Sequence, residues 1–261
     1  MKTRCLGRNN SGQALIITSL IIAMLMISTA YYVLEINKAA TMDQAPLDST
    51  FLMTRPSVVN TLINSLASIS NDSLANISNG GDSEVLDANL KELAQAIQNS
   101  SYGGQCEFVI TPLNSTTYKN GVLISWGDNG SGISSVYASV ALNFSDPNEM
   151  YSSEYEVNVT TAITAEGFCT ANGTQESVNV ICQLYNENDA ALANNFTIFY
   201  QEPGGNWTPA DSTTALNIND YGNGTYLISF DALAQGALQV SVGAHDLRNI
   251  FVMANTTCLE N

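Results

Sequence analysis

The apolar stretch from Ala14 to Leu34 constrains this chain more than any other feature of its sequence, because no charged residue interrupts it. About twenty helical residues, at roughly 1.5 Å per residue, match a hydrocarbon core of roughly 30 Å, whereas a cleaved secretory peptide carries about 7–15 apolar residues. The stretch therefore predicts a transmembrane helix over residues 13–35. A rival interpretation takes Ser28-Thr29-Ala30 as a signal-peptidase site, which would release the rest as a secreted protein.

The distribution of basic residues predicts the orientation of this helix. Lys2, Arg4 and Arg8 precede the apolar stretch, and no acidic residue does. Lys and Arg next to a membrane segment favour the cytoplasmic side. We therefore expect a basic cytoplasmic tip over residues 1–12, a single-pass anchor in the lipid bilayer of the cell membrane, and an extracellular C-terminal ectodomain.

The remainder of the chain is strongly acidic. From Glu35 onward there are 24 acidic residues against five basic ones, a formal net charge of −19. Binding to nucleic acid requires a basic surface, so we expect no nucleic-acid partner.

Helical spacing of apolar residues follows the apolar stretch. Val59, Leu62 and Leu66 are spaced for one face of a helix, and Leu86, Leu90 and Leu93 repeat the pattern after a candidate cap at Asp82 or Ser83. We interpret residues 36–103 as a helical stalk or linker.

The period of the pattern changes to two after this region. Alternating residues from Val136 to Phe144 and from Tyr155 to Ile163 predict an antiparallel β module over residues 104–172. Six further short runs, separated by turn residues, predict a β-sandwich over residues 173–261. The predicted fold is thus an N-terminal transmembrane α-helix followed by a mainly-β ectodomain.

The final module carries a recognisable motif. Residues 220–230 contain Gly-Asn-Gly-Thr-Tyr at 222–226, and Gly236 leads into the apolar run that ends at Val242. This pattern resembles the filamin-like and invasin-like immunoglobulin modules. The resemblance implies an immunoglobulin-like β-sandwich that binds, spaces or stiffens.

The amino terminus carries a second motif. Gly12-Gln13 stands directly before the apolar stretch. This arrangement is similar to the processing site of archaeal type IV pilin-like proteins with a class III signal. The resemblance implies cleavage between Gly12 and Gln13 and a helix that anchors the protein and then forms a filament core.

Four cysteines lie beyond the apolar stretch: Cys106, Cys169, Cys182 and Cys258. An even set in an exported segment predicts two disulfides. Three pairings are possible, and the module boundaries favour Cys106 with Cys169 and Cys182 with Cys258. A metal site is the less favoured alternative, because the sequence has no Cys-x-x-Cys and only one histidine.

Sequons for N-glycosylation recur along the same part of the chain. We predict acceptors at Asn71, Asn76, Asn99, Asn114, Asn129, Asn143, Asn158, Asn172, Asn195, Asn223 and Asn255. A twelfth Asn-x-Ser/Thr sequence, at Asn206, is a poor acceptor because Pro209 follows its Thr208.

The sequence offers few candidate catalytic residues. Any triad would need His245, next to Asp246, and a His-Asp pair between two strands is more often part of a solvated loop. Trp126 and Trp207, beside turn residues, suit either a sugar-binding contact or the edge of a core. We therefore predict no catalytic, cofactor or metal site, and a membrane-anchored surface protein that is either a pilin-like filament or envelope subunit or a stand-alone adhesion module with an uncleaved signal anchor. A secreted or anchored hydrolase is the least favoured alternative. The expected partners are further copies of the chain or other envelope proteins.

Overall fold

The computed structural model describes residues 23–29, 54–73, 83–100, 105–127, 129–145, 150–172, 175–233 and 237–260. Its contacts divide the chain into two units, Met1–Thr54 and Arg55–Asn261. The described helices cover residues 23–29, residues 54–73 and Ser83–Ser100. We label the second of these α1 and the third α2. A 3-10 turn covers Ser212–Thr214.

The predicted membrane helix is wrong. Among the described residues, no helix combines the length and the apolar character that crossing a bilayer requires. The described helical part of the predicted span 13–35 covers only 23–29, against about twenty residues for a bilayer core. The single-pass anchor, and the localisation that depended on it, are therefore corrected. The basic tip over 1–12, with Gly12 and Gln13, lies outside the described residues.

The described structure is mainly antiparallel β, as the period-two pattern predicts. Its strands are β1 Gln105–Pro112, β2 Val122–Trp126, β3 Ser131–Ser145, β4 Met150–Asn172, β5 Gln175–Asn186, β6 Asp189–Ala190, β7 Ala193–Gln201, β8 Thr208–Pro209, β9 Asn217–Asp220, β10 Thr225–Ala232, β11 Leu238–Asp246 and β12 Phe251–Glu260.

Strand β4 connects the whole β structure. Its first part pairs with β3, which also carries β1 and β2 on its other edge, and its last part pairs with β5. The order then continues from β5 through β10 to the edge strand β9. Because β4 runs without a break from one set of partners to the other, the two β modules share this strand. The boundary between 104–172 and 173–261 stays a prediction, and it lies between the end of β4 and the start of β5.

A second layer packs against the β5–β10 part of the sheet. Strands β8, β7, β11 and β12 form it, with antiparallel pairing throughout. Aromatic pairs join the layers: Phe196 meets Tyr226 with ring centroids 4.7 Å apart, and Tyr200 meets Phe230 at 5.6 Å. The last residues of β12 also pair in parallel with β4, so the layers are connected at one side. Two packed β layers are the architecture of a sandwich.

The helices do not form a stalk, so this part of the predicted fold is wrong. Leu62 and Leu66 of α1 and Leu86 and Leu90 of α2 are fully buried within the hydrophobic core. In addition, the Ser70 hydroxyl accepts a hydrogen bond from the amide of Phe251 in β12, at 3.0 Å. The apolar faces that predicted helices are present, but they are covered by the β structure.

Candidate functional site

His245, the histidine on which any triad would depend, makes a structural contact. Its Nε2 lies 2.8 Å from Oδ1 of Asn71 in α1, and its ring packs 5.0 Å from the ring of Phe251. Burial lowers the pKa of His245 below its ordinary value, and the negative charge of Asp246 offsets part of this shift. The imidazole therefore holds the end of β11 against the helix.

The carboxylate of Asp246, next to His245 in the sequence, is fully buried and fully engaged. Its Oδ2 accepts from Nε of Arg248 at 2.8 Å and from the Thr161 hydroxyl at 3.0 Å, and its Oδ1 accepts from the amides of Arg248 and Ile250 at 2.9 Å each. The carboxylate thus fixes the turn between β11 and β12 and ties it to β4.

Arg248 completes this arrangement. Its Nη1 donates to Glu187 at 2.8 Å, and its Nη2 donates at 3.0 Å to the carbonyl of Thr160 and the hydroxyl of Thr161. Burial by itself would lower the pKa of Arg248, but hydrogen bonds to Glu187 and Asp246 outweigh it and raise the pKa above its usual value. We name Glu187, Asp246, Arg248 and Thr161 the arginine clamp. The arginine clamp joins the two layers. It was not predicted from the sequence, although an Asp and an Arg two residues apart in a turn can indicate such an ion pair.

The disulfide joins Cys169 in β4 to Cys258 in β12, with the Cα atoms 5.5 Å apart. The predicted pairs Cys106–Cys169 and Cys182–Cys258 are therefore wrong. The spacing argument assumed that each module closes on itself, whereas β4 and β12 lie side by side and bring Cys169 and Cys258 together. Cys106 is a half-buried thiol and Cys182 a fully buried one, and burial raises the pKa of Cys182 to about 12.

The two tryptophans differ in their surroundings. Trp126 is buried, its Nε1 donates to the Ser134 hydroxyl at 3.1 Å, and it packs edge-on against Phe251. Trp207 is 41% exposed in the segment before β8. Trp126 is thus a core residue, whereas Trp207 remains accessible to a partner.

The predicted glycosylation acceptors also differ in accessibility. Exposed side chains belong to Asn99, Asn114, Asn129, Asn143, Asn158, Asn195 and Asn223. Asn71 and Asn255 are half-buried, while Asn76 and the side chain of Asn172 lie outside the described residues. Modification of these sites stays a prediction.

One acceptor lies in a cluster of hydroxyl and aromatic groups on the outer face of β3 and β4. Nδ2 of Asn158 donates to the Tyr118 hydroxyl at 2.8 Å, and that hydroxyl lies 2.9 Å from the hydroxyl of Ser135. Tyr137 stands directly opposite Asn158 in the β3–β4 register. Together with Thr160, these residues form what we call the Tyr118–Asn158 cluster.

An open groove of about 400 Å³ lies between α1 and α2. Its walls are formed by Thr61, Asn64, Asn89, Glu92, Leu93 and Ala96. The described residues contain no group of three or more His, Cys, Asp or Glu side chains that could hold a metal ion. The groove is therefore a polar surface feature with a single carboxylate.

The helix over 23–29 exposes its apolar side chains. Met24, Leu25, Met26 and Ile27 are 65%, 61%, 69% and 71% exposed, respectively. Single exposed apolar residues are ordinary on a protein surface, but a continuous run is typical of a surface that contacts a partner.

Comparisons with known proteins supply no relative: no family model matches the chain, and no curated protein matches it.

Proposed function

We propose that this protein is a non-enzymatic structural subunit of a filament or envelope layer, and that it assembles with further copies of itself through the apolar segment around residues 23–29. The observation that carries this proposal is the run of four large apolar side chains, each more than 60% exposed, from Met24 to Ile27. Leaving such a run in water is unfavourable by about 25 cal/mol for each Å² of apolar surface, so association that buries it is favoured.

The state of the only histidine supports a non-enzymatic role. The described contacts of His245 are with Asn71 and Phe251, and those of the Asp246 carboxylate are with the arginine clamp and backbone amides. A catalytic base needs a hydrogen bond to a nucleophile and an orienting carboxylate. Neither interaction is among the described contacts of His245.

The disulfide supports export. Cys169 and Cys258 are bonded, and disulfides persist mainly in oxidising, extracytoplasmic compartments. The similarity of Gly12-Gln13 and the following apolar stretch to pilin-like processing sites is consistent with a filament subunit.

The test is the assembly state of the native protein, measured by sedimentation velocity over a hundredfold concentration range and by negative-stain electron microscopy. We expect large assemblies or filaments from the wild type, and their loss in the double variant Leu25→Asp/Ile27→Asp, because two buried carboxylates would oppose the contact.

Leu233→Asp is the matched control, because Leu233 is a similarly exposed leucine, at 68%, in another part of the chain. Assembly should survive this change. A wild type that remains monomeric over the whole range, or a control variant that dissociates as readily as the double variant, contradicts the proposal.

The groove between α1 and α2 favours a second candidate function, that of a stand-alone adhesion or binding module. Amide side chains from Asn64 and Asn89 and the carboxylate of Glu92 offer hydrogen-bonding groups to a polar ligand such as a sugar. A monomeric wild type that binds oligosaccharides, and loses this binding in Asn64→Leu, would support it instead.

A further inference from the structure

Asn158 lies next to two tyrosines. The side chain is exposed on β4, Tyr137 lies opposite it on β3, and Tyr118 reaches it from the segment between β1 and β2. The rings of Tyr118 and Tyr137 are half-buried, with centroids 5.4 Å apart and planes inclined by 56°. The asparagine is therefore flanked by a partly exposed aromatic surface.

The local backbone holds Tyr118 in this place. The Ser115 hydroxyl accepts from the amide of Tyr118 at 3.0 Å, and the Tyr118 carbonyl accepts from the amide of Ser115 at 2.9 Å. Gly121 closes the segment with a φ of +76°, and a Cβ there would lie 2.8 Å from the carbonyl oxygen of Tyr137. A glycine is needed for both the backbone conformation and the close approach, so the segment is built against β3.

Hydrogen bonds also fix the orientation of the Asn158 amide. Its Oδ1 accepts from the Thr160 hydroxyl at 2.5 Å, while Nδ2 donates one hydrogen to the Tyr118 hydroxyl at 2.8 Å. An Asn side chain has two amide hydrogens. One is engaged by Tyr118, and the described residues offer no hydrogen-bond partner to the second.

Asn71 also begins an Asn-x-Ser/Thr sequence but has the opposite environment. Its half-buried Nδ2 donates to two carbonyl oxygens, those of Ala67 at 2.7 Å and Asn249 at 3.2 Å, and its Oδ1 contacts His245. Replacing either hydrogen would remove a hydrogen bond, and the bond to Asn249 joins α1 to the turn after β11. A glycan at Asn71 is thus incompatible with the packed helix.

We propose that Asn158 is an N-glycosylation site whose first sugar residue packs on the rings of Tyr118 and Tyr137, and that Asn71 is left unmodified. In the transfer, Nδ2 forms a bond to the anomeric carbon of a phosphate-activated sugar, loses one proton, and the phosphate leaves with the electron pair of the broken bond. The modified nitrogen keeps one hydrogen, which continues to donate to the Tyr118 hydroxyl.

The tyrosine rings supply a surface that suits a sugar. A pyranose ring has a face of C–H bonds, and aromatic rings contribute apolar contact together with a polar hydroxyl at the edge. Burial of this sugar face against the two rings stabilises the folded state, in which the rings are held together, relative to the unfolded chain, in which they are apart.

The first measurement is site-resolved glycopeptide mass spectrometry on the native protein. We expect a glycan at Asn158 and none at Asn71. An empty Asn158, or an occupied Asn71 in folded protein, overturns the proposal.

The second measurement tests the aromatic surface by thermal unfolding of protein from a glycosylating host and from a host that does not glycosylate. Asn158→Gln should lower Tm by about 2–4 °C more in glycosylated than in unglycosylated protein, because only in the glycosylated protein does the substitution remove a sugar that packs on the rings. Comparison between the hosts removes the effect of the asparagine's own hydrogen bonds.

Two variants complete this test. In Tyr137→Val, which keeps a good strand former, the additional decrease in Tm caused by Asn158→Gln should disappear. Asn143→Gln is the matched control, because Asn143 is an exposed acceptor on the same strand pair but stands opposite Ser152, and it should show no difference between hosts. An equal host-dependent decrease in the presence and absence of the Tyr137 ring overturns the packing part of the proposal.

Discussion

Removal of the Arg248 guanidinium should destabilise the fold far more than removal of any exposed charge. In Arg248→Met the aliphatic stem is kept, so the main loss is the ion pair with Asp246, whose side chain is fully buried, and the hydrogen bonds to Thr160 and Thr161. The carboxylate would then be buried without its cation.

The magnitude follows from what remains around Asp246. Removing one partner of a buried ion pair costs about 3–5 kcal/mol. The Thr161 hydroxyl and the amides of Arg248 and Ile250 still donate to the carboxylate, so we expect the lower end, about 3 kcal/mol. The bond to Glu187 adds little, because that side chain is 44% exposed.

The assay is urea unfolding followed by tryptophan fluorescence, since Trp126 is buried beside Phe251 in β12. Lys91→Met is the matched control: Lys91 pairs with Asp87 on α2, with side chains 69% and 47% exposed, and should cost less than about 0.5 kcal/mol. The double variant Asp246→Asn/Arg248→Met should recover more than about 1 kcal/mol relative to Arg248→Met, because no charge then stays buried.

Two results would refute this reasoning. One is a cost for Arg248→Met no larger than that of the Lys91→Met control. The other is a double variant that is no more stable than Arg248→Met, which would show that the buried charge of Asp246 is not the source of the loss.

Three further predictions concern the core, the disulfide and the histidine. Leu66→Ala should lower the free energy of unfolding by about 2–5 kcal/mol in the same urea assay, because Leu66 is fully buried. A decrease as small as that of Ser68→Ala, at an exposed position of α1, would indicate that α1 does not pack in the core. Replacing Cys169 and Cys258 by serine should cost about 4 kcal/mol, since the bond closes a separation of 89 residues; unchanged stability would contradict it. Burial lowers the pKa of His245 below 6.5 in the folded state, so the contribution of His245 to the free energy of unfolding is complete above pH 6.5 and is lost as the pH falls below that value. The difference in unfolding free energy between wild type and His245→Asn should therefore decrease as the pH falls below 6.5. A difference that does not change with pH would contradict the burial of this imidazole.

Much of the secondary structure was predictable because its signal is local. The spacing of Leu62 and Leu66 predicted α1, and the alternation from Val136 to Phe144 predicted β3, because the period of a helix or strand is written into adjacent residues. The apolar stretch from Ala14 to Leu34 misled the prediction of a membrane helix. Its composition gives its hydropathy but not the length of the helix that forms, and the described helical part covers only 23–29.

The sites were harder to predict because their members are distant in the sequence. Asn71 and His245 are 174 residues apart, and Tyr118 and Asn158 are 40 apart. The sequence drew attention to His245 and to Asn158 separately. It could not show that His245 contacts Asn71 of α1 or that Asn158 is hydrogen-bonded to Tyr118.

The sequence by itself determined the period of each helix and strand, the acidic surface and the set of available cysteines and acceptor asparagines, since these depend only on which residues are neighbours along the chain. Tertiary structure alone decided that Cys169 bonds Cys258, that α1 and α2 belong to the core, and that Arg248 neutralises Asp246. The physical reason is that these interactions need atoms within bonding distance, and β4, shared between two sets of strands, brings together residues that no local pattern connects.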